Sequence, residues 1–213
     1  TQVEWGERVA EIAGEDRWDD TPGAFAHTVF DAWLAATEPT KTGDAIGVIT
    51  IAGEISDGQA GPGAAGAERI TLLLDDALDD DLKALVVRVD SPGGTVTGSE
   101  AIRRAIFRHK TKGIPIVVSM GNMAASGGYW VATPADRIFA EPETLTGSIG
   151  IYGVLPTFES LLNDIGVTSD GVKTTPLSGQ PDLLGGLTPE AAAVLQATVN
   201  SGYERFLGLV ASS

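Results

Sequence analysis

The sequence predicts an α/β fold of repeated βαβ units, preceded by an N-terminal helical segment. Three observations carry this. Short β-rich runs recur at 45–51, 84–89 and 114–119, and patterns with apolar residues three and four apart lie between them. That alternation marks parallel strands joined by crossover helices. Two of the runs also pass directly into glycine-rich turns, 89–94 and 119–128. Such turns, at the carboxyl ends of neighbouring parallel strands, converge on one crevice.

The elements follow in order. Residues 3–13 place apolar side chains at 5, 9, 12 and 13, a helical spacing. Asp19-Asp20-Thr21-Pro22 is a helix-start signal, and Phe25, Val29, Phe30, Trp33 and Leu34 predict a second amphipathic helix over 25–34. His27 falls between its apolar positions and reads as solvated. Residues 39–44 read as a linker, which divides the chain into a helical segment, 1–43, and a domain, 44–213. Within the domain, 45–51 is a strand and the Gly/Ala/Pro stretch 57–66 reads as a mobile loop. A helix follows over 70–78, ended by Asp79-Asp80-Asp81, and then a buried strand over 84–89. The helix over 97–108 carries Arg103, Arg104 and Arg108 outward, and His109 reads as a solvated cation at its C-terminal end. Further on come strands at 114–119 and 137–140, a strand-turn element at 144–154, a helix at 158–165, an extended stretch at 167–174 and a loop at 176–186. Thr188-Pro189-Glu190 opens a last helix that runs to about 211.

Composition narrows the function. With 213 residues and 43% hydrophobic content the chain can bury a real core. A formal net charge of -15 disfavours nucleic acid and anionic lipid as partners. No apolar run is long enough to span a bilayer. Zero cysteines rule out disulfides and thiolate chemistry, and His27 and His109 are too few and too isolated for a metal cluster. Neither a metal nor a cofactor is expected.

The chemistry centres on Met120-Gly121-Asn122-Met123-Ala124-Ala125-Ser126-Gly127-Gly128-Tyr129-Trp130. A strand-to-helix turn that presents a serine at its tip suits a nucleophile, and the backbone N–H groups of Gly93 or Gly94 and of Gly127 could form an oxyanion hole. Taken alone, the stretch also fits a helix start with Ser126 as a cap, and Ser91-Pro92-Gly93-Gly94 also fits a tight turn. A phosphate-binding loop is the third reading of that turn, but no G-x-x-x-x-G-K-[ST] or G-x-G-x-x-G pattern is present there.

Four stretches, VDSPGG (89–94), GNMAASGGYW (121–130), TLTGSIGIYGV (144–154) and IGVTSDGVKTTPL (165–177), resemble the signal peptide peptidase A (protease IV) family of the Clp-protease/crotonase fold group. The likeness is to the serine-bearing C-terminal half of the long, two-half form, with 1–43 similar to the helical segment between the halves. The resemblance implies units wound in a spiral, Ser126 as nucleophile, and Gly93, Gly94 and Gly127 at the oxyanion hole. It implies a Ser–Lys dyad, cleaved signal peptides or similar apolar peptides as substrates, and a ring-like homo-oligomer. It also implies a bacterial cell-envelope location, inner-membrane-anchored through a segment outside this chain, with the catalytic part outside the cytoplasm.

No histidine follows Ser126, so a Ser-His-Asp triad is not expected. The position where single-unit members of the family carry their lysine falls here on Ser178, and Lys173 is five residues short of it. On an extended segment that odd offset turns Lys173 to the opposite face. The expectation is therefore a chain truncated at both ends, inactive by itself, whose lysine belongs to an absent N-terminal half. Two other readings stand beside it: a catalytically silent assembly or substrate-binding unit, and a crotonase-like acyl-CoA enzyme.

Overall fold

The computed structural model describes residues 1–37 and 43–213, and the chain divides into two compact units, Thr1–Gly43 and Asp44–Ser213. In the first unit helix α1 (Gln2–Ala13) begins with a capping box: the Thr1 hydroxyl accepts from the Glu4 N–H and the Glu4 side chain reaches back. The helix expected over 25–34 starts later, as α2 (Phe30–Thr37). Local hydrogen bonds explain the delay. Asp19 Oδ1 accepts the Thr21 N–H, the Ala24 N–H donates to Thr21 O at 3.0 Å, and the Ala26 N–H donates to Gly14 O at 2.7 Å. Pro22 therefore sits in a turn, and the chain after it is drawn out beside the end of α1. Residues 38–42, most of the expected linker, lie outside the described residues.

The second unit is built on a parallel sheet. Strands β1 (Ala45–Ala52), β4 (Leu82–Ser91), β5 (Ile116–Ala125) and β6 (Arg137–Phe139) pair in that order, and β7 (Leu145–Gly147) pairs with β5 beyond β6. A second sheet joins β2 (Glu54–Ser56) to β3 (Ala64–Gly66), also in parallel. β3 corrects the expectation of a wholly irregular 57–66 loop. Ala65 and Gly66 are buried, so small residues there allow close packing.

Helices α3 (Ala67–Asp76) and α4 (Val96–Thr111) cross one face of the sheet. Ile70, Leu74, Ile102 and Ile106 meet Leu85, Val87, Val89, Ile116 and Val118 in one core. His109 belongs to that core. It is fully buried, with Nε2 2.7 Å from Leu74 O, which corrects its reading as a solvated cation. Arg108 and Lys110 stand beside it in the last turn of α4.

Beyond β7 lie two further helices: the short α6 (Glu159–Asp164) and, after irregular chain, the long α7 (Pro189–Ala211). The Thr188 hydroxyl accepts the Ala191 N–H at 3.2 Å with Pro189 in the first turn, as the capping rule predicts. Residues 167–174 form no strand.

Candidate active site

Two strand ends build the site. β4 finishes at Ser91, which is fully buried; its Oγ donates to Gly53 O at 2.6 Å and accepts the Gly93 N–H at 3.1 Å. This hydroxyl locks the turn 92–94. The same turn is held from β2: the Ile55 N–H donates to Gly93 O at 2.7 Å, and the Thr95 N–H donates to Ile55 O at 2.9 Å. Thr95 then caps α4 through its hydroxyl. Gly94 has φ 156°, and a Cβ on it would stand 1.9 Å from Ile55 O, so the position accepts no side chain.

β5 reaches the site through an irregularity. Between the pairs Val89–Met120 and Ser91–Ala124, β4 advances two residues while β5 advances four. Asp90 fills the bulge: Oδ1 accepts the Met123 N–H at 3.1 Å, and Gly121 leaves room for the carboxylate. The strand then ends at Ser126, whose φ of 51° and ψ of −118° are rare for a residue with a side chain. Its N–H donates to Gly147 O at 2.9 Å, and its carbonyl accepts the Tyr129 and Trp130 N–H groups, both at 2.9 Å. With its backbone fastened on both sides, the residue is held in a conformation it would otherwise leave.

The two turns touch. A Cβ on Gly93 would lie 2.9 Å from Ser126 Cβ, and one on Gly127 would lie 3.1 Å from Gly94 N. The Gly94 and Gly127 N–H groups have no hydrogen-bond acceptor among the described residues, whereas the Gly93 N–H is spent on Ser91. Gly93 therefore contributes clearance to the site and not a free donor. Helix α5 (Gly127–Trp130) is one turn long, so what it offers is the individual Gly127 N–H. Ser126 opens on a cavity of about 630 Å³, walled by the turn 92–96 and by Ser148, Gly150, Ile151 and Tyr152, with Glu54 at its margin.

Behind the serine, Trp130 is 2% exposed, and its Nε1 donates to Glu100 Oε2 at 2.9 Å. Glu100 also receives Arg103, Arg104 and Arg205, the last from α7. Burial would push the Glu100 carboxyl up, but the hydrogen bonds from Arg103, Trp130 and Arg104 outweigh it and hold the group at about 2. The Phe206 ring packs on Trp130 with centroids 4.6 Å apart.

Residues 108–213, the span from the end of α4 through the Ser126 turn to α7, match the model of peptidase family S49. Protease 4 of Salmonella typhi is 49% identical over 176 residues, which are 82% of this chain and 28% of that protein. Protease 4 of Haemophilus influenzae is 43% identical over 78% of this chain and 27% of its own length. The putative signal peptide peptidase SppA of Enterococcus faecium is 36% identical over 62% of the chain and 39% of its length. This chain thus spans between about a quarter and two fifths of these relatives. Among solved structures, ClpP1 from Listeria monocytogenes aligns with a TM-score of 0.35 at 22% identity, over 41% of this chain and 46% of that one. A mutant of the 1510-N membrane-bound stomatin-specific protease aligns with a TM-score of 0.41 at 16% identity, over 77% and 65%.

The fold brings Ser126, Gly93, Gly94 and Gly127 together, and it adds residues that the sequence pattern did not single out. Ser148 shares the cavity and, like Ser126, has a positive φ of 52°. Its signal in the sequence was weak: a serine after Gly147 within the run 144–154, which reads as strand and turn and carries the family likeness only as a whole stretch. Lysines stand elsewhere. Lys83 pairs with Asp81, Lys110 with Asp136 and Lys173 with Asp182, while Lys112 donates to Leu78 O. None of these four lines the Ser126 cavity. Among the described residues no three His, Asp or Glu side chains gather as a metal site, and no helix is long and apolar enough to cross a membrane.

Proposed function

We propose that Ser126 is the nucleophile of a serine peptidase whose general base, a lysine, is supplied from outside the described residues. The observation that carries this reading is the juxtaposition of a backbone-strained serine with two unengaged N–H groups, those of Gly94 and Gly127, at the wall of one cavity. In the reaction Ser126 Oγ attacks the peptide carbonyl and its proton passes to the base. The carbonyl oxygen becomes an oxyanion facing the Gly94 and Gly127 amides. The C–N bond then breaks, the base returns the proton to the leaving amine, and water, deprotonated by the same base, releases the acyl group from Ser126. Ser148 adds a hydroxyl that can hydrogen-bond an amine arriving in the cavity.

A neutral lysine suits this task when desolvation lowers its pKa. With the four described lysines engaged elsewhere, the isolated chain is a substrate-binding and assembly unit until the base joins it. Residues 1–43 act, in this reading, as a helical connection to that part. Substrates are apolar peptides such as cleaved signal peptides, in keeping with the SppA relative's name, and the location is the cell envelope. Val154, Ile165 and Val172 are between 65% and 98% exposed. Apolar side chains so placed mark surfaces that other protein covers, and a homo-oligomer is the proposed occupant.

A fluorophosphonate probe tests the core of the proposal. In the protein extended to the length of its Protease 4 relatives, it should label Ser126, and Ser126→Ala should abolish both label and peptide hydrolysis. Hydrolysis that survives Ser126→Ala would overturn the assignment.

A further inference from the structure

The cavity beside Ser126 has a charge that the peptidase reading alone does not require. Its walls are glycine, small hydroxyl and apolar side chains: the turn 92–96, Ser148, Gly150, Ile151 and Tyr152. Among the described residues no lysine, arginine or histidine lines it, and Glu54 is its single carboxylate. Glu54 opens β2, and the next residue, Ile55, is fully buried in the core. Alternation along the strand turns the Glu54 side chain to the opposite side.

That placement is firm. Ile55 is bonded on both sides to the turn that carries the Gly94 donor, through Gly93 O and the Thr95 N–H. The backbone that bears Glu54 is therefore part of the same rigid assembly as the oxyanion donors. Among the described residues Glu54 has no ion-pair partner, since the acidic groups in such pairs are others, Glu100, Asp75 and Asp136 among them. A net charge of -15 adds a negative field around it.

We infer that Glu54 is a specificity-determining residue: it favours peptides that place a lysine or arginine next to the apolar residues seated against Ile151 and Tyr152, and it disfavours acidic ones. This inference rests on the peptidase reading of the site and names its substrate class. A signal peptide has that composition, with a basic region running into an apolar one. The size of the effect follows from geometry. An ion pair at a solvent-accessible margin contributes about 0.2–1 kcal/mol, up to roughly fivefold in affinity. Salt weakens such a pair, because the Debye length falls to about 3 Å at 1 M.

The test uses the full-length protein with Ser126→Ala, so that bound peptides stay intact. Labelled peptides share one apolar core, along which Lys, Gln or Glu is moved position by position, and binding is followed by fluorescence anisotropy. At the position that faces Glu54, affinity should fall from Lys to Gln to Glu by roughly threefold a step, and the spread should shrink at high salt. Adding Glu54→Gln should flatten the order, and Glu54→Lys should reverse it. An order that is absent, or that survives Glu54→Gln unchanged, overturns the role of Glu54. Labelling of Ser126 by a fluorophosphonate in the parent protein separates the two claims. Charge-blind peptide binding with intact labelling removes only the specificity, whereas no labelling and no peptide binding remove the peptidase reading together with it.

Discussion

At Ser126 stability and chemistry pull in opposite directions. The residue holds φ 51° and ψ −118°, at a cost of about 1–3 kcal/mol for a side chain in that region. Ser126→Gly should therefore remove activity and yet raise the denaturant midpoint, with a gain in unfolding free energy of up to about 1 kcal/mol after the added freedom of the unfolded chain is counted. A midpoint that falls would mean the strain is not there. Gly94→Ala should lower both, since its methyl would stand 1.9 Å from Ile55 O and force the donor turn to move. Loss of about 1–3 kcal/mol and of peptide hydrolysis is expected, read by denaturation and by rate. The sequence made Ser126 and these glycines visible because such residue types have few reasons to cluster. His109 shows the limit: at the end of a helix it looked solvated, and only the fold reveals Leu74 O at 2.7 Å. Gly93 is a finer case, since nothing in a run of residues tells which N–H Ser91 will take.

Between elements, the Ser126 turn is backed by the C-terminal helix. Phe206 is 1% exposed and lies against Trp130, and Arg205 reaches Glu100, which also holds the Trp130 indole. Phe206→Ala should cost about 3–5 kcal/mol and lower hydrolysis along with stability, as measured by thermal unfolding and initial rates. Glu100→Gln should cost less, because an amide oxygen can still accept from Trp130 while the arginine pairs weaken. The start of α7 was legible from Thr188-Pro189-Glu190, a local signal with a local cause. The α7–α5 contact was not, because Phe206 and Trp130 are 76 residues apart and nothing in either segment names the other. The false start over 25–34 has a similar origin. Its apolar spacing is helical, yet hydrogen bonds accepted by Asp19 and Gly14 direct the chain before Phe30 otherwise. β3 was hidden for a further reason: Ala64–Gly66 is a strand by virtue of its partner β2, not of its own composition.

For the molecule as a whole, the decisive question is which proton equilibrium controls activity, and two windows separate the answers. Glu100 has its carboxyl depressed to about 2, so its stabilising contribution is intact above the unfolded value near 4.5 and fades only as pH falls toward 2. By that group alone the fold loses up to about 3 kcal/mol, and only in strongly acidic solution. The proposed lysine works in another range. Its neutral form accepts the serine proton, so with a pKa lowered to about 7–8, hydrolysis should fall as pH drops through that value. Between about pH 5 and 7 the full-length protein should then lose activity while its unfolding midpoint stays nearly constant. Supplying the base-bearing part to this chain should raise hydrolysis by about 10²–10⁴-fold, the scale of general-base catalysis. Lys173→Met should leave both the rate and its pH limb in place, because Lys173 faces Asp182 at 3.9 Å in a separate cavity. If Lys173→Met instead abolished the limb in a protein that still folds, the base would be local to residues 44–213, and the proposal of a lysine from outside would fall.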